Sequence, residues 1–536
     1  MNERRILKNK LFLYLTEFFA GMSVMAIELG AQRLLAPYFS SSQIVWTIVI
    51  GTIMIAMALG NVYGGRKADK DPNPDKLYAR IIVSGAWIAL IPFLGKYIIV
   101  GVSALLILTV HKGFLIVAAT ISCLILFIFP LFLLGTTTPC LAKYCTTSLD
   151  DSGKTVGYLN AFNTVGSIIG TFTPTFITIP TIGTNWTFLI FAIILLLLAF
   201  IYFISFKVFK PRMAVSVILL IISIIFGHNS HFAFWNNDLM YEGESIYNYL
   251  QVYEDKNEVS LSTNVLFGVQ SVYYKEKGLH YSHYYDYDLA ALLMANSNKK
   301  EEVNVLILGM GSGTYAKQIE RYFDNVNVTG VEIDEKITYL AETYFNQSKD
   351  IDVYTYDGRA FLNVINDKYD VILVDAYQDI TIPFQMSSIE FFTLVKDHLT
   401  SDGVMVVNLN MRSDEDKNIN YYLCDTINNV FDYCYTVNVS SSSNRELFAS
   451  NNENMLDIFK ENIELVDDSS LAYFMNNYVY KRLEEFHKGD LLLTDDKAPV
   501  ELLGISVIDT LINESVEYYI NIVKEQGIKG LLDYLG

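Results

Sequence analysis

Cysteine is scarce in this sequence of 536 residues, and its five cysteines show no paired spacing. Since Cys123, Cys140, Cys145, Cys424 and Cys434 form no CxxC motif, the sequence indicates neither a zinc site nor a disulfide scaffold, and we expect no bound metal. The triphosphate-binding motif GxxxxGK[ST] is also missing. We expect no cleaved signal peptide, because the first apolar run is long and is followed at once by others.

Charged residues make up only 18% of the chain, and they are unevenly distributed. Residues 1–230 contain 17 Lys and Arg against 8 Asp and Glu, a net charge of +9. The other 306 residues contain 22 and 50, a net charge of −28. An acidic domain repels nucleic acid and attracts small polycations, so we expect no nucleic-acid partner. The alternative is that the acidity only keeps this domain soluble.

Long apolar runs fill the first 230 residues, and about 20 such residues are enough to cross a bilayer as a helix. Residues 81–111 are ambiguous, because Lys96 divides this apolar stretch into two shorter runs. The stretch could form one long tilted span or a tight hairpin. With a short run at 213–227, the sequence predicts a multi-pass transmembrane bundle over residues 1–230. It has seven or eight helices, eight being favoured, and a lipid bilayer as its partner. The full-length runs lie at about 11–35, 44–64, 114–138, 155–180 and 184–206.

Two glutamates interrupt the first apolar run, in "LTEFFAGMSVMAIELGAQRLL". Glu17 and Glu28 are about three helical turns apart, so both carboxylates project from nearly the same face. An intramembrane acid is a candidate functional group, here for contact with a cationic amine. The structural alternative pairs Glu28 with Arg33 or with a polar group on a neighbouring helix. Two GxxxG spacings, Gly60–Gly64 and Gly166–Gly170, favour close packing of helices.

Beyond residue 240 the sequence pattern changes twice. Short alternating runs, "SIYNYLQVYE" and "VLFGVQSVYYK", predict a small antiparallel β-domain over residues 240–285. From 286 to 536, strands alternate with helical stretches, which predicts an α/β domain with a mainly parallel, doubly wound, Rossmann-like sheet. Its strands are expected at about 303–308, 327–332, 351–355, 370–375 and 403–409.

The residues that follow these strands form a candidate ligand site, because doubly wound sheets bind ligands at the carboxyl ends of their strands. They are Gly309, Gly311 and Gly313 after the first strand, Glu332 after the second, Asp357 after the third, and Asp375 and Asp379 after the fourth. Glycines let the backbone turn tightly against a ligand. A carboxylate about 20 residues past such a loop can accept both ribose hydroxyls.

A cationic sulfonium nucleoside suits these acids best. The glycine loop has no lysine for a triphosphate, and the pyrophosphate of NAD would lie against several carboxylates. S-adenosylmethionine, or its decarboxylated form, is therefore the predicted ligand. The choice between the two separates methyl transfer from aminopropyl transfer.

The motifs "LGMGSG", "VEIDEKI", "DGRAFL", "YDVILVDAY" and "EFFTLVKDHLTSDGVMVVNL", preceded by "SIYNYLQV" and "GVQSVYY", resemble the polyamine aminopropyltransferase (spermidine synthase) family. The chain is more narrowly similar to its membrane-fused branch, where "IELGAQRLLAPYFSSSQIVWT", "ALGNVYGGRKAD" and "LTDDKAPVELL" have counterparts. The resemblance covers nearly the whole chain. It implies an α/β domain of the S-adenosylmethionine-dependent methyltransferase type.

The resemblance also implies roles for individual residues. Asp375 would orient and deprotonate the attacking amine, helped by Tyr285 from "HYYDYD", and Asp379 would assist in amine binding. Glu332 would hold the ribose, and Asp357 the adenine. The remaining nucleoside-binding residues would be Asn248, Gln270, Gly309, Gly311, Ser312, Gly313 and Gly358.

Three of these positions depart from the family pattern. Ser312 stands where the soluble enzymes have an aspartate for the substrate amine, and a serine there also suits methyltransferases. Asn248 stands where glutamine is usual. Gln378 replaces a second acid three residues past Asp375, although Asp379 is adjacent and could substitute.

The leading hypothesis is a transferase that makes spermidine and 5'-methylthioadenosine from decarboxylated S-adenosylmethionine and putrescine or a related amine. The alternatives are a methyltransferase acting on a membrane-delivered acceptor, and a transporter or sensor regulated by its nucleoside domain. We expect no cofactor beyond the nucleoside co-substrate, and a homodimer is left open.

The predicted location is the cell membrane, with the catalytic domain in the cytoplasm. Basic residues such as Arg4 and Arg5, and the run from Arg66 to Arg80, place the amino terminus in the cytoplasm. Eight spans would put the acidic domain on the same side. Both candidate nucleosides are made and kept there.

Overall fold

The chain folds into two compact units in the computed structural model. The helical unit consists of Met1–Asn236 and Glu242–Tyr249, and the sheet unit of Asn237–Tyr241 and Leu250–Gly536. The structure describes residues 9–146, 152–229, 231–236, 239–265, 269–376, 382–410 and 417–535.

Long apolar helices build the helical unit. Among the residues described, five helical segments are long and apolar enough to cross a membrane: Lys10–Phe39, Gln43–Lys70, Pro74–Leu106, Phe114–Cys145 and Ser152–Ile204. The individual helices are α1 Lys10–Phe39, α2 Gln43–Lys70, α3 Pro74–Leu106, α4 Phe114–Cys123, α5 Phe129–Gly135, α6 Thr137–Cys145, α7 Ser152–Thr173, α8 Ile179–Ile204 and α9 Pro211–Gly227. The π-helical turns Leu124–Ile128 and Pro174–Thr178 join α4 to α5 and α7 to α8.

Helix α3 runs unbroken through Lys96, although this lysine divides its apolar sequence in two. The interpretation of this region as a hairpin was therefore wrong, and the alternative of one long helix is confirmed. The Lys96 ammonium donates a hydrogen bond of 2.9 Å to the carbonyl of His231, so its polar end has a partner while its alkyl stem stays among apolar side chains. Helix α8, by contrast, is interrupted at Gly183, where φ is 83° and ψ is 170°. The number of membrane crossings stays a prediction.

Glycines bring helices of this unit into backbone contact. A Cβ added at Gly166 or Gly170 of α7 would lie 2.0 Å from a carbonyl oxygen of α1, that of Phe18 or Met22. One added at Gly60 of α2 would lie 2.3 Å from the Phe132 carbonyl oxygen. No side chain fits at these distances, so the packing role predicted for both GxxxG spacings is confirmed.

Glu17 is fully buried in α1 and takes its partners from two other helices. The hydroxyl of Thr138 and the side-chain amide of Asn163, at 2.8 Å, both donate to the same carboxylate oxygen. Polar groups on neighbouring helices are thus what stabilise this acid in the bundle, as buried intramembrane acids require. Arg33, near the other end of α1, donates to the backbone carbonyls of Ser245 and Ile246.

A four-stranded sheet follows the helices in sequence. Strands β2 and β3, and β3 and β4, pair antiparallel, which confirms the predicted small antiparallel sheet. Leu250, Val252, Val259 and Leu261 are buried on it and pack with Phe345. The strands are β1 Leu239–Glu244, β2 Tyr249–Glu254, β3 Glu258–Ser262 and β4 Ser271–Tyr274, in the order β1-β2-β3-β4.

A larger sheet of eight strands forms the centre of the sheet unit, in the order β12-β10-β11-β9-β8-β5-β6-β7. Strands β5 to β9 pair parallel with one another, as expected for a mainly parallel, doubly wound sheet. Strand β11 pairs antiparallel with β9, and β10 and β12 continue the sheet in antiparallel pairs. The strands are β5 Val303–Leu308, β6 Val326–Glu332, β7 Asp352–Thr355, β8 Tyr369–Val374, β9 Leu399–Leu409, β10 Tyr433–Asn438, β11 Arg445–Ser450 and β12 Glu484–Glu485.

Helices cover this sheet and connect its strands. The buried apolar side chains of β5, β8 and β9, such as Val305, Val371 and Val406, pack against helical residues such as Leu292 and Phe459 to form the main core. The helices are α10 Tyr284–Asp288, α11 Ala290–Met294, α12 Thr314–Tyr322, α13 Glu335–Tyr344, α14 Gly358–Val364, α15 Ile389–Asp397, α16 Ile419–Asn428, α17 Met455–Leu465, α18 Ser469–Phe474 and α19 Val500–Leu535. Short 3-10 or π turns lie at Ser297–Lys299, Phe384–Met386, Met475–Val479 and Tyr480–Arg482.

Candidate active site

The order of strands in the large sheet reverses between β5 and β8, which marks the expected ligand crevice of a doubly wound fold. Leu308, the last residue of β5, is in register with Val331 of β6 and Val374 of β8. Three adjacent strands therefore end at the same level. Glu332, the glycine loop and Asp375 lie side by side at this edge of the sheet.

The glycine loop adopts backbone conformations that other residues avoid. Gly309, Gly311 and Gly313 have φ values of 92°, 53° and 73°. A Cβ at Gly309 would lie 2.5 Å from the carbonyl oxygen of Asp375, and one at Gly311 would lie 2.8 Å from Ser271 Oγ. The glycines therefore let the β5 loop pass close to the end of β8, as well as supplying the turn into α12.

Glu332 holds the glycine loop from the neighbouring strand. Its Oε2 accepts a hydrogen bond of 3.0 Å from the backbone N–H of Gly311, and its Oε1 accepts one of 3.1 Å from that of Asp334. Burial raises the pKa of this carboxyl to about 7, and these backbone donors oppose the rise. Each oxygen can still accept a further hydrogen bond, so the group could bind hydroxyls at the crevice.

Asp357 and Gly358 lie one strand further along the edge. Glu332 is in register with Thr355 of β7, so Asp357 follows the strand next to it. Asp357 caps helix α14, since its Oδ1 accepts a hydrogen bond of 2.8 Å from the backbone N–H of Ala360. Its side chain is partly exposed, and the second carboxylate oxygen leaves an acceptor for a ligand.

Asp375, just after β8, is held by two side-chain donors. The Tyr284 hydroxyl donates a hydrogen bond of 2.9 Å to its Oδ2, and Asn408 Nδ2 donates one of 3.1 Å to its Oδ1. Asn408 is itself fixed by Asn444, whose amide donates to Asn408 Oδ1 at 2.8 Å. Burial raises the pKa of Asp375 to about 7, with a smaller contribution from the charge of Glu332. A carboxylate that titrates near neutral pH is suited to accept a proton in a reaction.

Two adjacent tyrosines lie beside Asp375, with ring centroids 4.0 Å apart. The Tyr285 hydroxyl is 3.2 Å from Ser271 Oγ, whereas Tyr284 makes the hydrogen bond to Asp375 described above. The sequence predicts a tyrosine of "HYYDYD" here, with Tyr285 preferred, and that assignment stays a prediction. Both phenols lower the pKa of Asp375, Tyr284 more than Tyr285. Both residues stand in "HYYDYD", and only the orientation of the short helix α10 distinguishes them.

The other predicted site residues lie in different surroundings. Ser312 is a buried residue of the glycine loop, and its Oγ lies 2.8 Å from Thr314 Oγ1. Gln270 precedes β4, and its side-chain oxygen accepts a hydrogen bond of 3.4 Å from Thr263. Asn248 belongs to the helical unit, where its backbone N–H donates to Ser245 Oγ. Asp379 and Gln378 fall outside the residues described.

A buried acid pair lies behind Asp375 and was missed by sequence reasoning. Asp288 and Glu446 are both fully buried, and their carboxyl groups interact with each other electrostatically. Burial raises the pKa of both carboxyls well above their usual range, and the charge of Asp375 adds to this. Glu446 is the register partner of Asn408, the residue that holds Asp375. Two acids 158 positions apart in sequence give no signal of such a contact.

Comparison with known proteins identifies the family of this chain. The family model "Spermine/spermidine synthase domain" matches residues 283–454. The chain is 48% identical over 334 residues to a probable polyamine aminopropyl transferase of Bifidobacterium longum (strain NCC 2705), an alignment covering 59% of this chain and 74% of that relative. This chain belongs to the polyamine aminopropyltransferase family.

Other aminopropyltransferases show more distant similarity. The polyamine aminopropyltransferase of Vibrio vulnificus (strain CMCP6) is 30% identical over 206 residues, which cover 37% of this chain and 67% of that protein. The crystal structure of spermidine synthase from Thermotoga maritima covers 44% of this chain and 80% of its own, at 17% identity and a TM-score of 0.36.

Membership of this family makes the protein a transferase in polyamine biosynthesis. Its co-substrate is decarboxylated S-adenosylmethionine, which carries the aminopropyl group on a sulfonium centre. Across the part of the chain that the structure describes, no group of three or more His, Cys, Asp or Glu side chains is arranged to hold a metal ion.

Proposed function

We propose that the enzyme transfers the aminopropyl group to putrescine or a related diamine, giving spermidine and 5'-methylthioadenosine, with Asp375 as the base. The observation that carries this proposal is the position of Asp375. It follows β8 at the crevice, two neutral donors fix its orientation, and its pKa of about 7 lets it exchange a proton near neutral pH.

In the proposed reaction, the lone pair of the attacking amine forms a bond to the propyl carbon attached to sulfur. The carbon–sulfur bond breaks, and its electron pair stays on sulfur, which becomes a neutral thioether. The amine proton passes to Asp375. An amine cannot attack while it is protonated, so a carboxylate within hydrogen-bond reach both orients the nucleophile and removes its proton.

We also propose that the acids at the neighbouring strand ends bind the nucleoside. Glu332 would accept hydrogen bonds from the ribose hydroxyls, and Asp357 one from the adenine amino group, with Gly358 beside it. The backbone of Gly309–Gly313, with Ser312, would border the sulfonium end. Gln270 would complete the nucleoside site, and Asp379, outside the described residues, would bind the distal ammonium. A cleft with this charge favours two cationic substrates.

The test is an assay of purified full-length protein with either nucleoside and a panel of diamines, with products identified by mass spectrometry. We expect spermidine and 5'-methylthioadenosine from putrescine and the decarboxylated nucleoside. Asp375→Asn should lower turnover by about 10²–10⁴ while nucleoside affinity stays within a few-fold. Asp367→Asn, an exposed acid at the opposite end of β8, is the matched control. Near-normal turnover of Asp375→Asn, or methylated products from S-adenosylmethionine, would overturn the proposal.

We propose a cytoplasmic location for the sheet unit, because decarboxylated S-adenosylmethionine is made and kept in the cytoplasm. The helical unit sets a condition on this placement. Tyr202 donates to Asp75 at 2.7 Å and Lys143 to Asp69 at 3.0 Å, so these residues share one end of the bundle, here named the basic end. Its basic residues are Lys10, Arg66, Lys67, Lys70, Lys76, Arg80, Lys143, Lys154, Lys207, Lys210 and Arg212.

The chain leaves the helical unit at the other end, where Thr184 is hydrogen-bonded to Glu244 through both its backbone N–H and its hydroxyl. Basic ends of membrane bundles usually face the cytoplasm. With an odd number of membrane crossings, a cytoplasmic sheet unit would require the basic end to face outward, against that tendency. The cytoplasmic supply of the nucleoside and the charge bias of the basic end predict opposite labelling patterns for reporter cysteines in intact cells.

A further inference from the structure

The helical unit contains a cavity of about 610 Å³ at its basic end, between α3, α5, α8 and the start of α9. This volume lies within the range typical of small-molecule sites. The cavity is separate from the acids at the sheet edge, and aminopropyl transfer gives it no role.

Four cationic side chains line this cavity: Lys76, Arg80, Lys210 and Arg212. The acid that lines it, Asp75, accepts a hydrogen bond from the Tyr202 hydroxyl. Lys76 also forms an ion pair with Asp71, so the excess of positive charge in the lining comes from Arg80, Lys210 and Arg212. Converging lysine and arginine side chains favour an anionic ligand, and guanidinium groups are well matched to phosphate oxygens.

The remaining wall of the cavity is apolar. Phe129 and Leu133 lie one turn apart on α5, and Phe203 lies near the end of α8. Phe129 keeps 42% of its surface exposed in a segment that is otherwise suited to hydrocarbon. A free anion gains no favourable contact from an apolar wall. A phospholipid does, because its charge and its hydrocarbon lie at adjacent positions.

We propose that this cavity binds an anionic phospholipid of the surrounding bilayer. Lys76, Arg80, Lys210 and Arg212 contact the phosphate-bearing headgroup, and the first carbons of an acyl chain lie over Phe129 and Leu133. Basic pockets between membrane helices are suited to anionic headgroups, and the apolar wall selects a lipid over free phosphate.

The test measures lipid retained by the full-length protein. The protein is purified from vesicles containing equal amounts of phosphatidylglycerol and phosphatidylcholine, and bound lipid is quantified by mass spectrometry. The unmodified protein should retain phosphatidylglycerol at least about tenfold over phosphatidylcholine, a difference of about 1.4 kcal/mol. A triple variant, Arg80→Gln, Lys210→Gln and Arg212→Gln, should lose this preference. The matched control, Lys67→Gln, Lys70→Gln and Lys154→Gln, removes as many charges from the basic end outside the cavity and should keep it.

A second variant separates lipid from free phosphate. Leu133→Trp fills the apolar part of the cavity and leaves all four cations, so it should also lose the lipid, while inorganic phosphate should not displace lipid from the unmodified protein. Retained aminopropyl transfer shows that each variant is folded. Equal retention by the triple variant and its control would overturn the proposal. So would equal retention of the two lipids, or displacement by inorganic phosphate.

Discussion

The hydroxyl of Tyr284 donates a hydrogen bond of 2.9 Å to Asp375 Oδ2, while the next residue, Tyr285, has its hydroxyl 3.2 Å from Ser271 Oγ. Both side chains lower the pKa of Asp375, and Tyr284 contributes more than Tyr285. Tyr284 stabilises the ionised form of the proposed base. Tyr285 connects the tyrosine pair to strand β4.

Tyr284→Phe should shift the acid limb of the pH–rate profile to higher pH. Asp375 must be ionised to accept a proton, so kcat/KM falls as pH drops below its pKa of about 7. Loss of the phenol donor destabilises the carboxylate and raises that pKa further, so the fall begins at higher pH. The measurement is kcat/KM against pH. Tyr285→Phe is the control and should shift the limb less; equal shifts would contradict the assignment of the two tyrosines.

Glu332→Gln should weaken binding of the nucleoside by about tenfold or more, as measured by calorimetry. The substitution weakens the acceptor for the proposed ribose hydroxyls and alters the hydrogen bond from Gly311 that holds the loop. Glu335→Gln removes the same charge from an exposed position three residues later and should leave affinity within about twofold. An unchanged affinity for Glu332→Gln would remove this residue from the nucleoside site.

Glu446→Gln should make the protein more stable at high pH. The pKa of Glu446 is higher in the folded state than in the unfolded state. The free energy of unfolding therefore falls as pH rises from the unfolded-state pKa through the folded-state pKa. Glutamine keeps the shape of the Glu446 side chain but has no proton to lose. We expect the variant to melt roughly 3 °C or more above the unmodified protein at about pH 9, with a smaller difference at about pH 6. Glu453→Gln, at an exposed position, should show no such pH dependence; a pH-independent effect of Glu446→Gln would contradict the raised pKa.

Two cysteine reporters test the side of the membrane on which each unit lies. The native cysteines are buried, so Asn298→Cys in the sheet unit and Lys70→Cys at the basic end can be labelled selectively by an impermeant thiol reagent. If Ser152–Ile204 crosses the membrane twice, with the break at Gly183 between the crossings, and Pro211–Gly227 also crosses, the described helices give seven crossings, and an odd number puts the two reporters on opposite faces. With a cytoplasmic sheet unit, Lys70→Cys reacts in intact cells and Asn298→Cys only after lysis. The reverse pattern would overturn the cytoplasmic placement, and identical behaviour of both reporters would contradict seven crossings.

The positions of the parallel strands could be predicted from sequence, because each is a short run that is followed by glycine or an acid. Glu332 and Asp375 are separated by 43 residues, yet parallel strands must end at one edge, so their proximity followed from the strand pattern. The GxxxG contacts followed in the same way, since a missing side chain has a direct packing consequence.

Features that depend on tertiary contacts could not be predicted. Lys96 suggested a break in an apolar run, but its ammonium reaches the His231 carbonyl, a residue 135 positions away. Tyr284 and Tyr285 differ only in the direction that α10 gives them. The contact between Asp288 and Glu446 joins a helix to an antiparallel strand, and no local sequence pattern predicts it.

The partners of Glu17 have a consequence for the order of biosynthesis. Thr138 and Asn163 are 121 and 146 residues further along the chain. At about 5–20 residues per second, the ribosome needs roughly 7–30 s to add the second of them after Glu17. Until Asn163 is added, α1 lacks at least one of the two donors for its acid. Helix α1 therefore reaches its final packing only after the chain through α7 has been synthesised, and depends until then on the insertion machinery or on temporary neighbours.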